Sequence, residues 1–167
     1  ANGTRNTAFD AGIGTGFDLK PTFIYVTGSQ DIIVGGKFNT FNGATKNYIV
    51  KLDGVTGALD ATFDVGTGFD IVDKGMVRSI RLMSDGNLLV TGQFAGYKGN
   101  GMSGAVKIDS TTAAIIPEFN MGSGFGTQGN EWAMGAHDVI ELTNGNYFMV
   151  GNFGAFNDVE FDDMDMI

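Results

Sequence analysis

The chain has 167 residues, the usual size of one domain, and this length buries enough surface to fold without disulfide bonds. Its net charge is −9 and it has no cysteine, so we expect no nucleic-acid partner, no zinc–thiolate site and no thiol nucleophile. No apolar run approaches the roughly 20 residues of a membrane-spanning helix, so we expect no membrane insertion. With 27 glycines and two prolines, the composition favours turns and short strands.

Sequence markers recur in one order along the chain. An apolar strand ending in glycine and phenylalanine closes at Phe38, Phe94 and Phe153, which are 56 and 59 residues apart. A second marker contains Phe9, Phe63 and Phe119; a third, Gly-x-Gly-Phe, covers residues 14–17, 66–69 and 122–125; a fourth covers residues 49–53 and 105–109. Such a period is typical of repeat architectures.

The markers divide residues 1–167 into one repeat domain. Residues 1–10 are predicted to be a closing strand, and the repeats cover residues 11–64, 65–120 and 121–167. In the second repeat we predict strands at 77–83, 88–92, 104–109 and 114–119, with a tight turn at 84–87. The fold class is therefore all-β, with three four-stranded antiparallel repeats of about 56 residues.

The two ends of the chain match in phase. Ile167 follows Phe153 by the same 14 residues that separate Leu52 from Phe38, so the third repeat lacks its fourth strand. Residues 6–10 resemble residues 60–64, a predicted fourth strand. Propellers in which an N-terminal strand completes the last blade start and end at these same points of the repeat. The alternative is that the chain is truncated there arbitrarily.

The predicted core contains Phe38, Phe94 and Phe153 in equivalent places. It also contains Ile33, Val34, Leu52, Phe63, Phe69, Leu89, Val90, Ile108 and Phe119.

Together these motifs resemble the delta-60 repeat family. The matching residues are Asp85, Gly86, Gly92, Phe94, Leu52, Asp53, Asp60, Thr62, Phe63, Gly66, Gly68 and Phe69. The resemblance implies a propeller-like β-fold of the kind found in large bacterial surface proteins and in phage tail or fibre proteins, and it implies no catalytic residue. The chain departs from the pattern at residues 158–167, where an acidic segment replaces the third strand of the repeat.

Three blades are too few for a closed propeller, which typically has four to eight. The chain is therefore expected to belong to a longer propeller or to associate with copies of itself, two copies giving six blades. A β-trefoil or β-prism is the alternative fold.

Candidate chemistry is sparse. The glycine loops lack the βαβ frame of a nucleotide site, and aspartates such as Asp53, Asp60, Asp64, Asp70 and Asp85 are expected to form Asx turns rather than a calcium loop. The acidic tail is interpreted as a solvated edge. We expect no catalytic residue, no metal site and no cofactor.

Loop variation gives the best indication of a binding surface. The segment before the first strand of each repeat covers residues 18–22, 70–78 and 126–137, and the longest holds Glu131, Trp132 and His137. These three are the candidate ligand-binding residues, since a tryptophan beside a carboxylate suits a cell-surface glycan; the alternative is that Trp132 fills a gap between blades.

The functional expectation is a non-enzymatic structural and binding module of an exposed assembly, a phage tail, fibre or virion component. Its location would be extracellular or on the virion surface, and its partners other protein chains or copies of itself. A secreted bacterial surface adhesin and a carbohydrate-active enzyme are the alternatives.

Overall fold

The computed structural model describes residues 4, 6–9, 14–71, 75–126, 135–157 and 159–160. The described chain is built almost wholly of short strands joined by tight turns, as the glycine content predicts. The strands are β1 (Pro21–Val26), β2 (Ile32–Gly36), β3 (Thr40–Phe41), β4 (Ala44–Thr45), β5 (Ile49–Leu52), β6 (Phe69–Asp70), β7 (Val77–Leu82), β8 (Leu88–Gly92), β9 (Gly96–Tyr97), β10 (Ala105–Ile108), β11 (Phe125–Gly126), β12 (Gly135–Glu141), β13 (Tyr147–Asn152), β14 (Ala155–Phe156) and β15 (Val159–Glu160).

Each repeat contains one main antiparallel sheet, which we call a blade, and the remaining short strands pair in small separate sheets: β3 with β4, β6 with β9, and β14 with β11 and β15. The first blade has the order β1-β2-β5, the second β7-β8-β10, and the third pairs β12 with β13. In the second blade Gly86, with a φ of 82°, closes the turn between β7 and β8, where the sequence places a tight turn. The three strands of this blade end within one residue of the predicted bounds at 77–83, 88–92 and 104–109.

The first strand of every blade is interrupted by a β-bulge at the same place. The register shifts between Pro21 and Phe23 in β1, between Val77 and Ser79 in β7, and between Ala136 and Asp138 in β12. A bulge adds one residue to a strand and increases its local twist. The three repeats therefore share a backbone irregularity as well as their strand order.

Three aromatic side chains pack together at one corner of each repeat, and we call each set an aromatic triad. In the second repeat the ring of Phe69 lies 4.6 Å from that of Phe94 and 4.7 Å from that of Tyr97. The phenylalanine of the Gly-x-Gly-Phe motif thus contacts the phenylalanine that closes the apolar strand. The other triads are Phe17, Phe38 and Phe41, and Phe125, Phe153 and Phe156.

The blades pack face to face in chain order. Ile33 and Ile49 of the first blade share a core cluster with Ile80, Leu88 and Val90 of the second. Leu89 and Ala105, on the opposite face of the second blade, share a cluster with Ala136 and Val139 of the third. We call the face turned towards the next blade along the chain the front face, and the opposite face the rear face. This is how neighbouring blades of a propeller pack.

The predicted equivalence of Phe38, Phe94 and Phe153 is confirmed, because each contacts the glycine-loop phenylalanine of its own repeat at 4.5–4.6 Å between ring centroids. The first two are buried, and Phe153 is half-buried. The rest of the predicted core is buried apart from Phe119, which is half-buried. The third repeat is therefore less enclosed than the second.

The predicted fourth strand is reduced to one bridging residue in each of the first two repeats. Leu59 bridges to Leu52, and Ile115 bridges to Ile108. Aspartate and threonine then turn the chain, since Asp60 Oδ1 accepts hydrogen bonds from the backbone N–H and the hydroxyl of Thr62 at 2.9 and 2.6 Å. These local bonds compete with a strand ladder.

The prediction of a closing strand at residues 1–10 is wrong where the structure describes this segment. Residues 7–9 form one helical turn. Asn6 Oδ1 accepts the backbone N–H of Ala8 at 3.1 Å and that of Phe9 at 3.4 Å, which caps the turn. The sequence match to residues 60–64 is real, but both segments turn rather than extend.

Candidate binding surfaces

The predicted binding loop is only partly covered by the structure. Glu131 and Trp132 lie outside the described residues, so their part in a site stays a prediction. His137 does not belong to the loop, because β12 already begins at Gly135. It is the extra residue of the third bulge, and its side chain is exposed. Partial desolvation and the nearby charge of Arg78 lower the pKa of His137 below its usual value.

Four of the five predicted turn aspartates hold backbone N–H groups, whereas the prediction is wrong for Asp70, which lies in β6 and pairs with Gly96. Asp53 Oδ1 accepts the N–H groups of Val55 and Thr56 at 3.0 and 2.7 Å. Asp64 Oδ1 accepts the N–H of Gly66 at 2.9 Å, and Asp85 Oδ1 that of Asn87 at 3.1 Å. These are Asx turns. Across the part of the chain that the structure describes, no group of three or more acidic or histidine side chains is placed to hold a metal ion.

Polar contacts join the front face of the second blade to the third blade. Arg81 forms an ion pair with Asp138, whose Oδ1 also accepts the Ser79 hydroxyl at 2.6 Å. Further along, Ser84 donates from its backbone N–H and its hydroxyl to the carboxylate of Glu141. Paired polar groups of this kind restrict how two apolar faces slide over each other.

The contact between the first and second blades is more apolar at the corresponding positions. By their pairing with the neighbouring strand, Phe23 and Tyr25 occupy the places that Ser79 and Arg81 occupy one blade later. Both aromatic rings pack against the cluster that holds Ile80 and Val90. The two blade contacts thus use the same geometry with different side chains.

The front face of the third blade has no fourth blade against it in the described residues. Ile140 is 53% exposed and Val150 is 47% exposed, and Leu142 beside them is also exposed. Ile140 pairs directly with Phe148, which is half-buried. Alternate residues on these strands, such as Val139 and Met149, point the other way into the core. We call this surface the front end face.

The rear face of the first blade is the matching surface at the other end. Ile24 is 61% exposed and Val26 is 50% exposed. Beside them is a shallow groove of about 380 Å³, lined by nine residues that include Phe9, Phe17 and Val34. We call this surface the rear end face. Its aromatic triad and the strand residues Val50 and Leu52 form the underlying cluster.

Equivalent positions in the three blades show what the end faces lack. Ile24, Ile80 and Val139 each pair with the middle of the second strand, opposite Val34, Val90 and Met149. Ile80 is fully buried and Val139 is 1% exposed, whereas Ile24 is 61% exposed. A preceding blade covers the first two, and none covers Ile24 in the described chain.

A cavity of about 580 Å³ lies at the rear face of the third blade. Its lining includes Phe119, Phe125, Tyr147 and Met149. In the second repeat the equivalent side chains pack around Val106 and Ile108 of β10. The corresponding strand of the third repeat is predicted near the end of the chain, outside the described residues. Because β10 occupies the equivalent place in the second repeat, we do not interpret this cavity as a ligand site.

Comparison with known proteins identifies one family match. The model of a family described as a domain of unknown function (DUF5122) beta-propeller matches residues 31–63. These residues run from β2 through β5 to the Phe63 marker. The chain is therefore similar to a propeller-like repeat family over part of its first repeat. Searches of the curated proteins and of the solved structures found no match.

The end faces were not predicted as sites from the sequence. Their residues read as ordinary strand residues, because alternation alone does not tell which blade face has a partner. The available signal was the comparison of Ile24 with Ile80 at the same repeat position.

No helix in the described ranges is long and apolar enough to cross a membrane.

Proposed function

We propose that this chain is a non-enzymatic structural and binding module of an exposed assembly, a phage tail, fibre or other virion component. The observation that carries the proposal is the pair of apolar end faces on a stack of blades. Ile24 and Ile140, on the two faces, are 61% and 53% exposed. Large exposed apolar surfaces on soluble domains are typical of protein–protein contacts.

The finer family assignment is part of the same proposal. The propeller match supports a repeat architecture, and the motifs at residues 66–69, 85–94 and 52–63 support the delta-60 repeat family in particular. That family's occurrence in phage tails and bacterial surface proteins supports an extracellular or virion location. The charge of −9 and the absence of cysteine agree with such a location.

The polar side chains in the described residues support a binding role over an enzymatic one. The single histidine is exposed on β12, and the turn aspartates are engaged by backbone N–H groups. The segment with Glu131 and Trp132 is the proposed place for a cell-surface glycan, which would stack on the indole ring.

A glycan array combined with a hydrolysis assay on the same glycans tests the proposal. We expect retention of one glycan class without turnover, and loss of that retention in Trp132→Ala. Val55→Ala, at an exposed turn position of the first repeat, is the control and should keep it. Turnover that is abolished by substitution of one carboxylate would identify an enzyme and overturn the proposal.

A further inference from the structure

We propose that the front end face of this chain binds the rear end face of a second copy, and that two copies close into one ring. This inference rests on the proposed function, because it names the partner of the end faces. The partner is specified by a contact that the chain already makes twice. Each internal contact places the front face of one blade on the rear face of the next.

The side chains on the front end face correspond to those that already form such contacts. Ile140 and Phe148 occupy the positions of Tyr25 and Ile33 in the first blade, since both pairs are directly cross-strand. Tyr25 and Ile33 pack against the rear face of the second blade. Isoleucine and phenylalanine supply comparable apolar surface at the same two places.

The rear end face offers the matching receptor. Ile24 stands where Ile80 and Val139 receive a front face, and Val34 and Leu52 stand where Val90 and Ile108 lie. All four of the second- and third-blade residues are buried. Val34 and Leu52 are already buried within the first repeat, so Ile24 and Val26 are the exposed apolar residues of the rear end face that a front face would cover.

The geometry of the contact determines the kind of assembly. A front-on-rear contact joins two different surfaces, so each copy keeps one free front face and one free rear face until the chain of contacts closes. Two copies bring six blades, within the four to eight that typical propellers have, whereas three copies would bring nine. The closed dimer leaves no end face exposed.

Sedimentation equilibrium on the full chain tests the inference with two variants, Ile24→Asp and Ile140→Asp. We expect the wild-type chain to have twice the monomer mass of 17.6 kDa. Each variant places a carboxylate in both contacts of the ring and should raise the dissociation constant at least about 100-fold. Val55→Asp is the matched control, since Val55 is 70% exposed in a turn, and it should stay dimeric.

Mixing the two variants separates a front-on-rear contact from a symmetric one. A mixed dimer has one contact with both wild-type surfaces and one contact that carries both substitutions, so dimers should reappear in the mixture. If rear faces bound each other, Ile140→Asp would remain dimeric alone; if front faces did, Ile24→Asp would. Either result overturns the inference.

A wild-type monomer at the highest soluble concentration, or an open polymer, also overturns it. Circular dichroism spectra of the variants that match the wild-type spectrum show that loss of the dimer is not loss of the fold. These outcomes differ from failure of the proposed function, which is turnover on a glycan.

Discussion

Arg81 and Asp138 form an ion pair between the second and third blades, with the Arg81 Nε donating to Asp138 Oδ1 at 3.0 Å. The same carboxylate accepts the Ser79 hydroxyl and the backbone N–H of Val139. One side chain thus collects bonds from both blades, and its removal tests how far this polar contact supports their packing.

Asp138→Asn should lower the free energy of unfolding by about 0.5–1 kcal/mol at pH 7, because the ion pair is partly exposed and screened. Urea unfolding followed by far-UV circular dichroism measures the change. Asp70→Asn, at an exposed position, is the control and should leave stability within error. Equal effects of the two substitutions would show that the ion pair contributes nothing.

Stability should fall between about pH 4 and pH 2. The hydrogen bond from Arg81 lowers the pKa of Asp138 from 3.8 to about 2. Burial opposes ionisation of Asp85, but hydrogen bonds from Lys107 and Asn87 outweigh it and lower its pKa to about 2 as well. A depressed pKa stabilises the fold fully above the unfolded value and less as the pH falls through the folded value.

The measurement for this pH dependence is the free energy of unfolding at steps between pH 5 and pH 2, in wild type and in Asp138→Asn. The variant should show a shallower decline, since the side chain at position 138 no longer titrates. Identical slopes in the two proteins would contradict the assignment of Asp138.

Phe69→Ala should destabilise the chain by about 3–5 kcal/mol, because it removes a buried ring from the centre of the second aromatic triad. Phe17→Ala is the matched variant in the first triad. Phe17 is only half-buried, so its cost should be smaller. Chemical denaturation of both variants gives the comparison, and a larger loss from Phe17→Ala would mean that the second triad is not the better-packed one.

Two equivalent glycines separate backbone strain from steric clash. Gly16 and Gly68 have φ values of 71° and 74°. A Cβ on Gly16 would meet no atom within 4 Å, whereas on Gly68 it would lie 2.3 Å from the Cβ of Asn47. Gly16→Ala should therefore cost about 1–2 kcal/mol of left-handed strain, and Gly68→Ala should cost more. Thermal unfolding decides, and equal losses would rule out the clash.

Tyr97→Phe should destabilise by about 1 kcal/mol although it makes the second triad resemble the other two. The Tyr97 hydroxyl donates to the carbonyl oxygen of Ala113 at 2.9 Å in the core, and the substitution leaves that oxygen without its donor. Burial raises the pKa of Tyr97 well above its usual value, so the hydroxyl stays protonated. Urea unfolding measures the change, and an unchanged midpoint would show that the bond contributes nothing.

The sequence predicted those features of the fold that repeat with a fixed residue type. Phe38, Phe94 and Phe153 lie in equivalent places because each must fill the same corner beside a glycine-loop phenylalanine. The apolar run at residues 88–92 is a strand buried on both sides, as its lack of alternation predicts. Spacing and composition are sufficient for features of this kind.

The sequence patterns do not predict features in which side-chain hydrogen bonds compete with strand pairing. The markers at Phe9, Phe63 and Phe119 predict fourth strands, but backbone N–H groups donate to the side-chain oxygens of Asn6 and Asp60 and bend the chain instead. Likewise, loop length in the sequence predicts His137 in a loop, because alternation of apolar residues does not reveal how far β12 extends before its bulge. Which blade face is covered depends on the neighbouring blade and not on the blade's own pattern.

The placement of Phe63 has a consequence for protein engineering. Although Phe63 follows the last strand of the first repeat in sequence, it packs with Leu88, Val90 and Ile108 of the second blade. The cooperative packing unit is therefore offset from the repeat that the motifs delimit. A chimera that exchanges blades between two proteins of this architecture would keep its cores intact when joined just after the third strand, near residues 53 and 109. Joints at residues 64 and 120 would instead separate a phenylalanine from the core in which it packs.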